Sequence, residues 1–333
     1  MKQKIQEAIT GGIARMPYGA YRRGREALIR AGKAPAAQTA DLKRIGSGRA
    51  ERDARGGAIT AIREGLYEYE YFNVCFLNNV ISLCALAAGR RERAYVAIRT
   101  SGGENLWEEF FEQPFAFSEE EMARIGEAPG MAEKVGPAFP QWQDAIDPRT
   151  RRLYGGMYRQ MIRYRPEVQA YLDEELAAVR AEAQGGKMLG VLCRGTDYTA
   201  TRPKGHPRQP EAEAILARAE EAYRNGKYAG IYLATEDSRY DTAFRERFGD
   251  KIHVNRREYY DRAYREGGIR MIRDVHFDRE RDDYRKGIEY LSSLYILSRC
   301  EGLIAGNCGG SQAAAFLNGG KYEECYFFDL GVY

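Results

Sequence analysis

The sequence predicts an α/β protein whose C-terminal half contains a mostly parallel β-sheet covered by helices. Three observations indicate this fold class. After Gly185-Gly186, short apolar runs alternate with helical segments, the runs are continuously apolar, and polar residues or glycines follow them. A continuous apolar run is typical of a strand that is buried on both faces, and its alternation with helices is typical of βαβ units.

The predicted elements follow one another regularly along this half of the chain. Strands are expected at 188–193, 231–234, 252–254, 302–306 and 326–328, and helices at 211–224, 239–248, 287–300 and from 311 onward. The helices are predicted because apolar residues recur at helical spacing in these segments. The helix at 211–224 is expected to end at Asn225-Gly226. The sequence therefore contains repeated strand–helix units from residue 188 to its last residues.

The N-terminal half is less regular. Helical spacing predicts a helix at 71–88, and a strand follows at 94–98. A helical stretch at 153–183 is expected to break at Pro166, because proline removes a helix hydrogen bond and clashes with the preceding turn. The segment 106–117 is rich in aromatic side chains, whereas 126–148 contains four prolines and is predicted to be irregular.

Length and composition narrow the class of protein. A chain of 333 residues exceeds what one core usually supports, which predicts two domains with a boundary near Gly185-Gly186. Six scattered cysteines without a C-x-x-C pair, and only three histidines, give a zinc site few ligands. The longest apolar stretch, 80–88, is far shorter than the roughly 20 residues a membrane helix needs, and 1–20 lacks the apolar core of a signal peptide. We therefore expect a cytoplasmic protein.

Positive charge is concentrated at the start of the chain. Residues 1–55 contain 13 Lys and Arg against 5 Asp and Glu, although the whole chain has a net charge of only +3. This segment is interpreted either as a peripheral contact with phosphates or an anionic membrane surface, or as a solvated N-terminus, which is the favoured interpretation. No nucleic-acid partner is expected.

Polar residues follow three of the predicted strands, where ligands of parallel sheets usually bind. Arg194-Gly195-Thr196-Asp197 follows the first strand, Thr235-Glu236-Asp237-Ser238 the second, and the segment 307–312 the fourth. An arginine suits a phosphate or carboxylate, and glycine amides at a helix start suit a phosphate. Helix caps and ion pairs explain each group separately, but the three groups together predict a nucleotide-type ligand.

The common nucleotide motifs are absent. The sequence has neither G-x-x-x-x-G-K-[ST] nor G-x-G-x-x-G after a first strand, which excludes a P-loop kinase and an NAD-dependent dehydrogenase. No Asp-x-Asp motif follows these strands, and an arginine with a helix N-terminus can neutralise a leaving diphosphate without a metal. We therefore expect no metal and no cofactor.

These segments resemble a known family. The run 190–197, with His206-Pro207 downstream, resembles the first motif of the GDP-fucose fucosyltransferases, which comprise α-1,6-, nodulation and protein O-fucosyltransferases. The run 232–237 resembles their second motif and 297–312 their third, while 76–80 is weakly similar to their N-terminal nucleotide-side loop. The resemblance covers about 187–315 and is absent from 1–60.

The resemblance implies a GT-B-like fold, with two Rossmann-type domains and mostly parallel sheets facing across a cleft. A basic segment at 1–60, helical or partly mobile, would precede an acceptor-side domain at 61–185 and a nucleotide-sugar domain at 186–333. The activity implied is metal-independent, inverting transfer of fucose from GDP-fucose to a glycan or other hydroxyl acceptor. Arg194 would be catalytic. Asp197 is also predicted as a catalytic residue, from its position after the first strand, where it could act as general base, orient Arg194 or hydrogen-bond the donor. The donor would be bound by Arg194, Thr196, His206, Ala234, Thr235, Asp237, Asn307, Gly310, Ser311 and Gln312.

The sequence departs from the family pattern where the family has its acids and a histidine. Leu192 stands where a histidine is common, Arg202 where the α-1,6 enzymes have their proposed base, and Ser293 near an expected aspartate. Asp197 and Asp237 remain as candidate general bases. The alternatives are a non-catalytic nucleotide- or carbohydrate-binding relative, a transferase for another nucleotide sugar, and an interaction protein that works through its basic segment.

Overall fold

The computed structural model describes residues 58–62, 77, 80–81, 83–84, 87, 92–98, 104–130, 145, 147–196, 199, 202, 204, 206–225, 228–267 and 274–333. The basic segment 1–55 and Asp197 lie outside the described residues, as does most of the helix predicted at 71–88. Within that helix, the described positions are helical and buried: Leu77, Val80, Ile81, Leu83, Cys84 and Ala87.

The described residues belong to two compact units. The first unit contains the described part of Ala27–Tyr171 together with Ala315–Gly320, and the second unit contains Leu172–Ala314 and Lys321–Tyr333. The division between Tyr171 and Leu172 lies ahead of the boundary that the sequence predicts at Gly185-Gly186. The roles expected for the two domains stay predictions.

The first unit contains a short parallel sheet. Strand β1 (Ile59–Ile62) pairs with β2 (Arg93–Val96), in a register that opposes Ile59 to Arg93 and Ile62 to Val96. The strand predicted at 94–98 is thus confirmed. Strand β1 was not predicted, because its four residues follow two glycines and are too few for a periodicity to emerge.

The described residues of this unit also form helices and an aromatic cluster. The helices are α1 (Leu106–Phe110), α2 (Glu119–Ala123), α3 (Pro148–Met161) and the start of α4 (Pro166–Glu182). The break expected at Pro166 is confirmed, since α4 begins at this residue, where the missing N–H costs no helix hydrogen bond. The aromatic segment is buried around Trp107, which is fully inaccessible and lies 4.6 Å from the Phe111 ring, measured between centroids.

The second unit is built on a five-stranded parallel sheet, which confirms the predicted α/β class. Its strands lie in the order β5-β4-β3-β6-β7, and every pair is parallel. The strands are β3 (Met188–Cys193), β4 (Gly230–Thr235), β5 (Ile252–His253), β6 (Gly302–Gly306) and β7 (Glu324–Phe328). Along the chain, β4 and β5 are added on one side of β3, and β6 and β7 are then added on its other side. Such a reversal creates a crevice beyond the carboxyl ends of β3 and β6.

Helices cover the two faces of this sheet. The described helices after β3 are α5 (Ala212–Arg224), α6 (Ser238–Phe248), α7 (Asp261–Gly267), α8 (Asp282–Arg299) and α9 (Gly309–Asn318), and of these α5, α6 and α8 pack against the strands. On one face, Val191 and Leu233 pack with Ile215 and Phe244 in a fully buried cluster. On the other face, a side chain at Gly190 would lie only 3.0 Å from Leu297 Cδ2, so this glycine lets α8 approach the sheet closely.

The helix predicted at 287–300 begins earlier than expected, at Asp282. Its first turn is charged, and Asp282 and Asp283 both pair with Lys286, so no apolar spacing marks the start. Among the described helices, none combines the length and the apolar composition that crossing a membrane requires.

Candidate functional site

The ends of three neighbouring strands meet at one edge of the sheet. The pairing of Cys193 with Thr235 brings the residues after β3 beside those after β4, and the pairing of Leu192 with Ala305 does the same for β3 and β6. The described residues of the three polar segments, 194–196, 235–238 and 307–312, therefore lie at adjacent positions along this edge, at the reversal of strand order.

The turn after β3 is organised by the carboxylate of Glu236. Its Oε1 accepts hydrogen bonds from the Gly195 amide at 3.2 Å and the Thr196 hydroxyl at 3.0 Å. The same oxygen lies 3.6 Å from Arg194 Nε, and both side chains are largely buried, with 9% and 18% of their surfaces exposed. One buried carboxylate thus fixes the arginine, the glycine amide and the threonine of this turn.

Asp237 begins helix α6 as its N-cap. Its carboxylate is inaccessible to solvent and accepts from the backbone N–H of Arg239 at 3.0 Å. The Arg239 guanidinium also binds both of its oxygens, with Nε 2.9 Å from Oδ1 and the NH2 nitrogen 2.5 Å from Oδ2. These contacts hold the carboxylate inside the fold, which favours the helix-cap interpretation of this acid over a role as general base.

Gly195 allows the β3 turn to lie directly against this cap. A side chain at this position would come within 2.5 Å of Asp237 Oδ2 and 2.7 Å of Tyr240 Cε2. Any residue larger than glycine would push the β3 turn away from the β4 turn. The glycine after Arg194 is therefore required by close packing between the two strand ends.

The turn between β6 and α9 is held by Ser311. Its hydroxyl donates toward the carbonyl of Gly306 at 2.8 Å and accepts from the amide of Cys308 at 3.0 Å. The Ser311 side chain is completely buried. Since its hydroxyl is used inside the turn, the groups that this helix start presents are its first backbone N–H donors, which have no acceptor within the helix.

Two other residues of this turn that were predicted to bind the nucleotide sugar form a hydrogen bond with each other. The Gln312 amide nitrogen donates to Asn307 Oδ1 at 2.8 Å, and both side chains are buried. The Asn307 carbonyl in turn accepts from the Gln209 side chain at 2.8 Å. This network rigidifies the segment that the sequence predicts as a phosphate-binding turn.

Gly310 lies in the first turn of α9, beside a tyrosine of α8. A side chain at Gly310 would meet the Tyr290 hydroxyl at 2.9 Å and Leu192 Cδ1 at 3.5 Å. The phenol of Tyr290 and the end of β3 therefore flank this helix start.

His206 lies in an exposed loop that pairs with the last residues of the chain. Its carbonyl accepts from the Tyr333 amide at 3.0 Å, and the Arg208 amide donates to the Gly331 carbonyl at 2.9 Å. Pro207 and Val332 form an antiparallel bridge between these two segments. This backbone pairing fixes the loop, whereas the His206 side chain stands at the surface.

The other predicted residues are distributed as follows. Ala234 and Thr235 are buried in β4, and the Thr235 hydroxyl accepts from the Asp237 amide at 3.2 Å. Arg202, at the position of the α-1,6 enzymes' proposed base, is exposed and has a left-handed backbone with φ of 46°. The role of Asp197 stays a prediction.

Burial controls the ionisation of groups next to the site. The pKa of the Cys193 thiol, at the end of β3, is raised well above its usual value by burial and then by the charges of Glu236 and Asp237. This thiol remains protonated near neutral pH. Since the thiolate is the nucleophilic form, Cys193 is unsuited to covalent catalysis.

Among the described residues, His276, Asp282 and Asp283 are close enough to share a metal ion. The two carboxylates are nevertheless engaged by cations of the protein: Lys286 Nζ lies 3.4 Å from Asp282 and 2.9 Å from Asp283. Arg279 adds a further contact to Asp282, at 2.6 Å. These contacts make the group an ion-pair cluster at the start of α8.

Sequence reasoning did not select three residues that the structure brings to these turns: Glu236, Tyr290 and Gln209. Glu236 stands between Thr235 and Asp237, which were both predicted as site residues. It follows the strand next to the one that Arg194 follows, so the sequence already indicated an ion pair between these two side chains. Tyr290 and Gln209 reach the site from α8 and from the loop before α5. Their positions depend on tertiary packing that no local pattern encodes.

No protein-family model and no curated protein matches this sequence. The chain is similar in structure to NodZ α-1,6-fucosyltransferase co-crystallized with GDP, at 12% identity over 78% of this chain and 91% of that one, with a TM-score of 0.48. It is also similar to the apo form of POFUT1, at 10% identity over 81% and 97% of the two chains, with a TM-score of 0.48. Fucosyltransferase NodZ from Bradyrhizobium is 14% identical over 82% and 95%, with a TM-score of 0.47.

Proposed function

We propose that this protein is a glycosyltransferase that transfers fucose from GDP-fucose to a glycan or other hydroxyl acceptor, with inversion and without a metal. One observation carries the proposal: Arg194 and the N-terminal N–H groups of α9 follow the neighbouring strands β3 and β6, at the reversal of strand order. This is where parallel sheets bind nucleotides, and the groups present suit a diphosphate.

In the proposed reaction, the acceptor hydroxyl attacks the sugar as the bond to the diphosphate breaks. Arg194 and the first N–H groups of α9 stabilise the negative charge that grows on the leaving GDP. Removing a preorganised contact of this kind lowers the rate by about 10²–10³. A single displacement from the face opposite the diphosphate inverts the anomeric centre.

The general base must accept the proton of the acceptor hydroxyl. We assign it to Asp197 because the alternative, Asp237, has both carboxylate oxygens bonded to Arg239 inside the fold. The proposal also includes the GT-B arrangement that the sequence resemblance implies, with the acceptor bound by the domain at 61–185 and the donor by the domain at 186–333.

A thermal-shift panel tests this function. GDP, UDP, TDP and their sugars are added separately, with and without EDTA. The proposal expects stabilisation by GDP and GDP-fucose that EDTA does not change. A shift produced only by UDP or TDP compounds would favour a transferase for another nucleotide sugar, and a shift abolished by EDTA would contradict metal independence.

A non-catalytic binding protein is the second candidate, because the exposed Arg202 replaces the base proposed for the α-1,6 enzymes. This protein would bind GDP without consuming GDP-fucose. Long incubation with GDP-fucose and a mixture of glycan acceptors, followed by measurement of released GDP, separates the two candidates. GDP release that depends on the acceptor supports the transferase.

A further inference from the structure

Arg257 carries a charge for which the protein supplies little compensation. It follows strand β5 and is partly buried, with its NH1 group donating to the Ser293 hydroxyl at 3.2 Å. Its Nε is buried and has no hydrogen-bond partner. A guanidinium has five N–H donors, and in the described part of the chain only the NH1 group of Arg257 has an acceptor, so its terminal nitrogens keep donors for a ligand.

Two arginines near Arg257 in the structure are, by contrast, paired with carboxylates. Arg256 pairs with Glu174 at 3.0 Å and also with Glu175, while Arg279 pairs with Glu289 and Asp282. Across the part of the chain that the structure describes, no carboxylate pairs with Arg257. The nearby Glu289 is committed to Arg279, so it does not neutralise this second guanidinium.

The hydroxyl that accepts from Arg257 belongs to a network of buried hydrogen bonds. Asn255 Oδ1 accepts from the Tyr232 hydroxyl at 2.8 Å and from the Ser293 hydroxyl at 3.3 Å. The Asn255 amide nitrogen donates to the Glu289 carbonyl at 3.1 Å. Burial raises the pKa of Tyr232, so its hydroxyl stays a donor. These bonds fix Ser293, which in turn holds one end of the guanidinium.

The location of Arg257 fits one end of a bound nucleotide. Strand β5 is separated from β3 by β4 alone, so the two strands are about 10 Å apart, given roughly 4.8 Å between neighbours. A nucleotide whose diphosphate meets Arg194 could extend across the end of β4 and bring its base toward β5. Arg257 would then face the base.

We infer that Arg257 is a specificity-determining residue that donates to the O6 and N7 acceptors of the guanine of the donor. This inference rests on the proposed function. A guanidinium binds O6 and N7 of guanine together, whereas adenine offers N7 beside an amino donor that repels it.

Calorimetric titrations of the full-length protein test this contact. The ligands are GDP, 7-deaza-GDP, which lacks the N7 acceptor, and IDP, which keeps O6 and N7 but lacks the 2-amino group. Wild-type protein should bind 7-deaza-GDP about 10-fold more weakly than GDP, which is the usual scale for losing part of a bidentate contact. In Arg257→Gln, GDP should bind at least 10-fold more weakly, and 7-deaza-GDP should bind nearly as well as GDP.

IDP and a second variant provide the controls. The ratio of GDP to IDP affinity should be the same in wild type and Arg257→Gln, because the 2-amino group is remote from the proposed contact. Arg262→Gln, which removes an exposed arginine paired with Glu266, should leave all affinities unchanged. Arg257→Gln should also unfold at the wild-type temperature without ligand, since it leaves no carboxylate unpaired.

Two results would overturn the inference in distinguishable ways. If wild type and Arg257→Gln both bind GDP and discriminate against 7-deaza-GDP to the same degree, Arg257 does not contact N7 and the inference alone fails. If wild-type protein binds no guanine nucleotide, the proposed function fails and the inference fails with it.

Discussion

The Oε1 atom of Glu236 lies 3.6 Å from Nε of Arg194, across the ends of two adjacent parallel strands. The same oxygen accepts from the Gly195 amide and the Thr196 hydroxyl. The arginine is therefore oriented by the protein without any ligand. Such preorganisation reduces the rearrangement that binding or catalysis would otherwise require.

Replacing this carboxylate should loosen the turn. Glu236→Gln keeps the length of the side chain but removes its charge, and hydrogen bonds to charged groups are worth about 1.5–3 kcal/mol. We expect the free energy of unfolding to fall by about 1–2 kcal/mol and GDP to bind several-fold more weakly. Urea unfolding and GDP titration measure the two effects. Glu221→Gln, at an exposed position, is the control, and wild-type GDP affinity in Glu236→Gln would contradict the orienting role.

The close contact between the two strand ends predicts a stability effect at Gly195. In Gly195→Ala, the new methyl group would lie 2.5 Å from Asp237 Oδ2. It would also lie 2.7 Å from the ring of the buried Tyr240, so the methyl group is crowded by both side chains. Overpacking of this kind costs about 1–3 kcal/mol, which chemical denaturation would measure. Gly126→Ala is the matched control, because nothing lies within 4 Å of a side chain there. Equal stability of the two variants would show that the β3 and β4 turns are less closely packed.

The β6–α9 turn depends on one hydroxyl. Ser311→Ala removes the acceptor of the Cys308 amide and the donor to the Gly306 carbonyl, and the buried amide is left without a partner. We expect a loss of about 1–2 kcal/mol in the free energy of unfolding, together with weaker GDP binding because the helix start is less fixed. Ser311→Thr retains the hydroxyl and should restore part of the GDP affinity. Unchanged stability and affinity in Ser311→Ala would exclude this role.

The first unit should contribute a distinct acid sensitivity through Glu121. Hydrogen bonds from Arg93 and from the Ser118 amide lower the pKa of this carboxyl from 4.5 to about 2. A lowered pKa in the folded state stabilises the protein above the unfolded pKa, and the effect is lost as the pH falls toward the folded pKa. Wild type should thus be more stable than Glu121→Gln at about pH 5, with the difference shrinking toward pH 2. A difference independent of pH in urea unfolding would contradict this.

The fold of the second unit was predictable because its strands are buried on both faces. Runs such as Met188–Cys193 and Gly302–Gly306 are continuously apolar for this reason, and helices between them end at recognisable caps such as Asn225. The start of α8 was predicted too late, since its first turn is stabilised by ion pairs instead of apolar contacts. The spacing of apolar residues predicts a helix only where one of its faces is buried. It gives no indication of a helix turn that is stabilised by ion pairs.

The candidate site was predictable at the strand ends and not beyond them. A parallel sheet brings residues after its strands together, which is why Arg194, Asp237 and Ser311 could be selected from their positions alone. The burial of Glu236, and the lack of a carboxylate partner for Arg257 among the described residues, depend on which side chains the fold brings next to them. These are tertiary properties, and the sequence states only the residue types from which they arise.

A calorimetric titration of GDP into wild type and Arg194→Ala, in the presence of EDTA, tests the donor site most directly. Wild type should bind GDP, and Arg194→Ala should bind it about 10- to 100-fold more weakly while unfolding cooperatively, because a charged contact to the diphosphate is lost. Equal affinity in the two proteins, or no binding by wild type, would contradict a GDP site at the carboxyl ends of β3, β4 and β6.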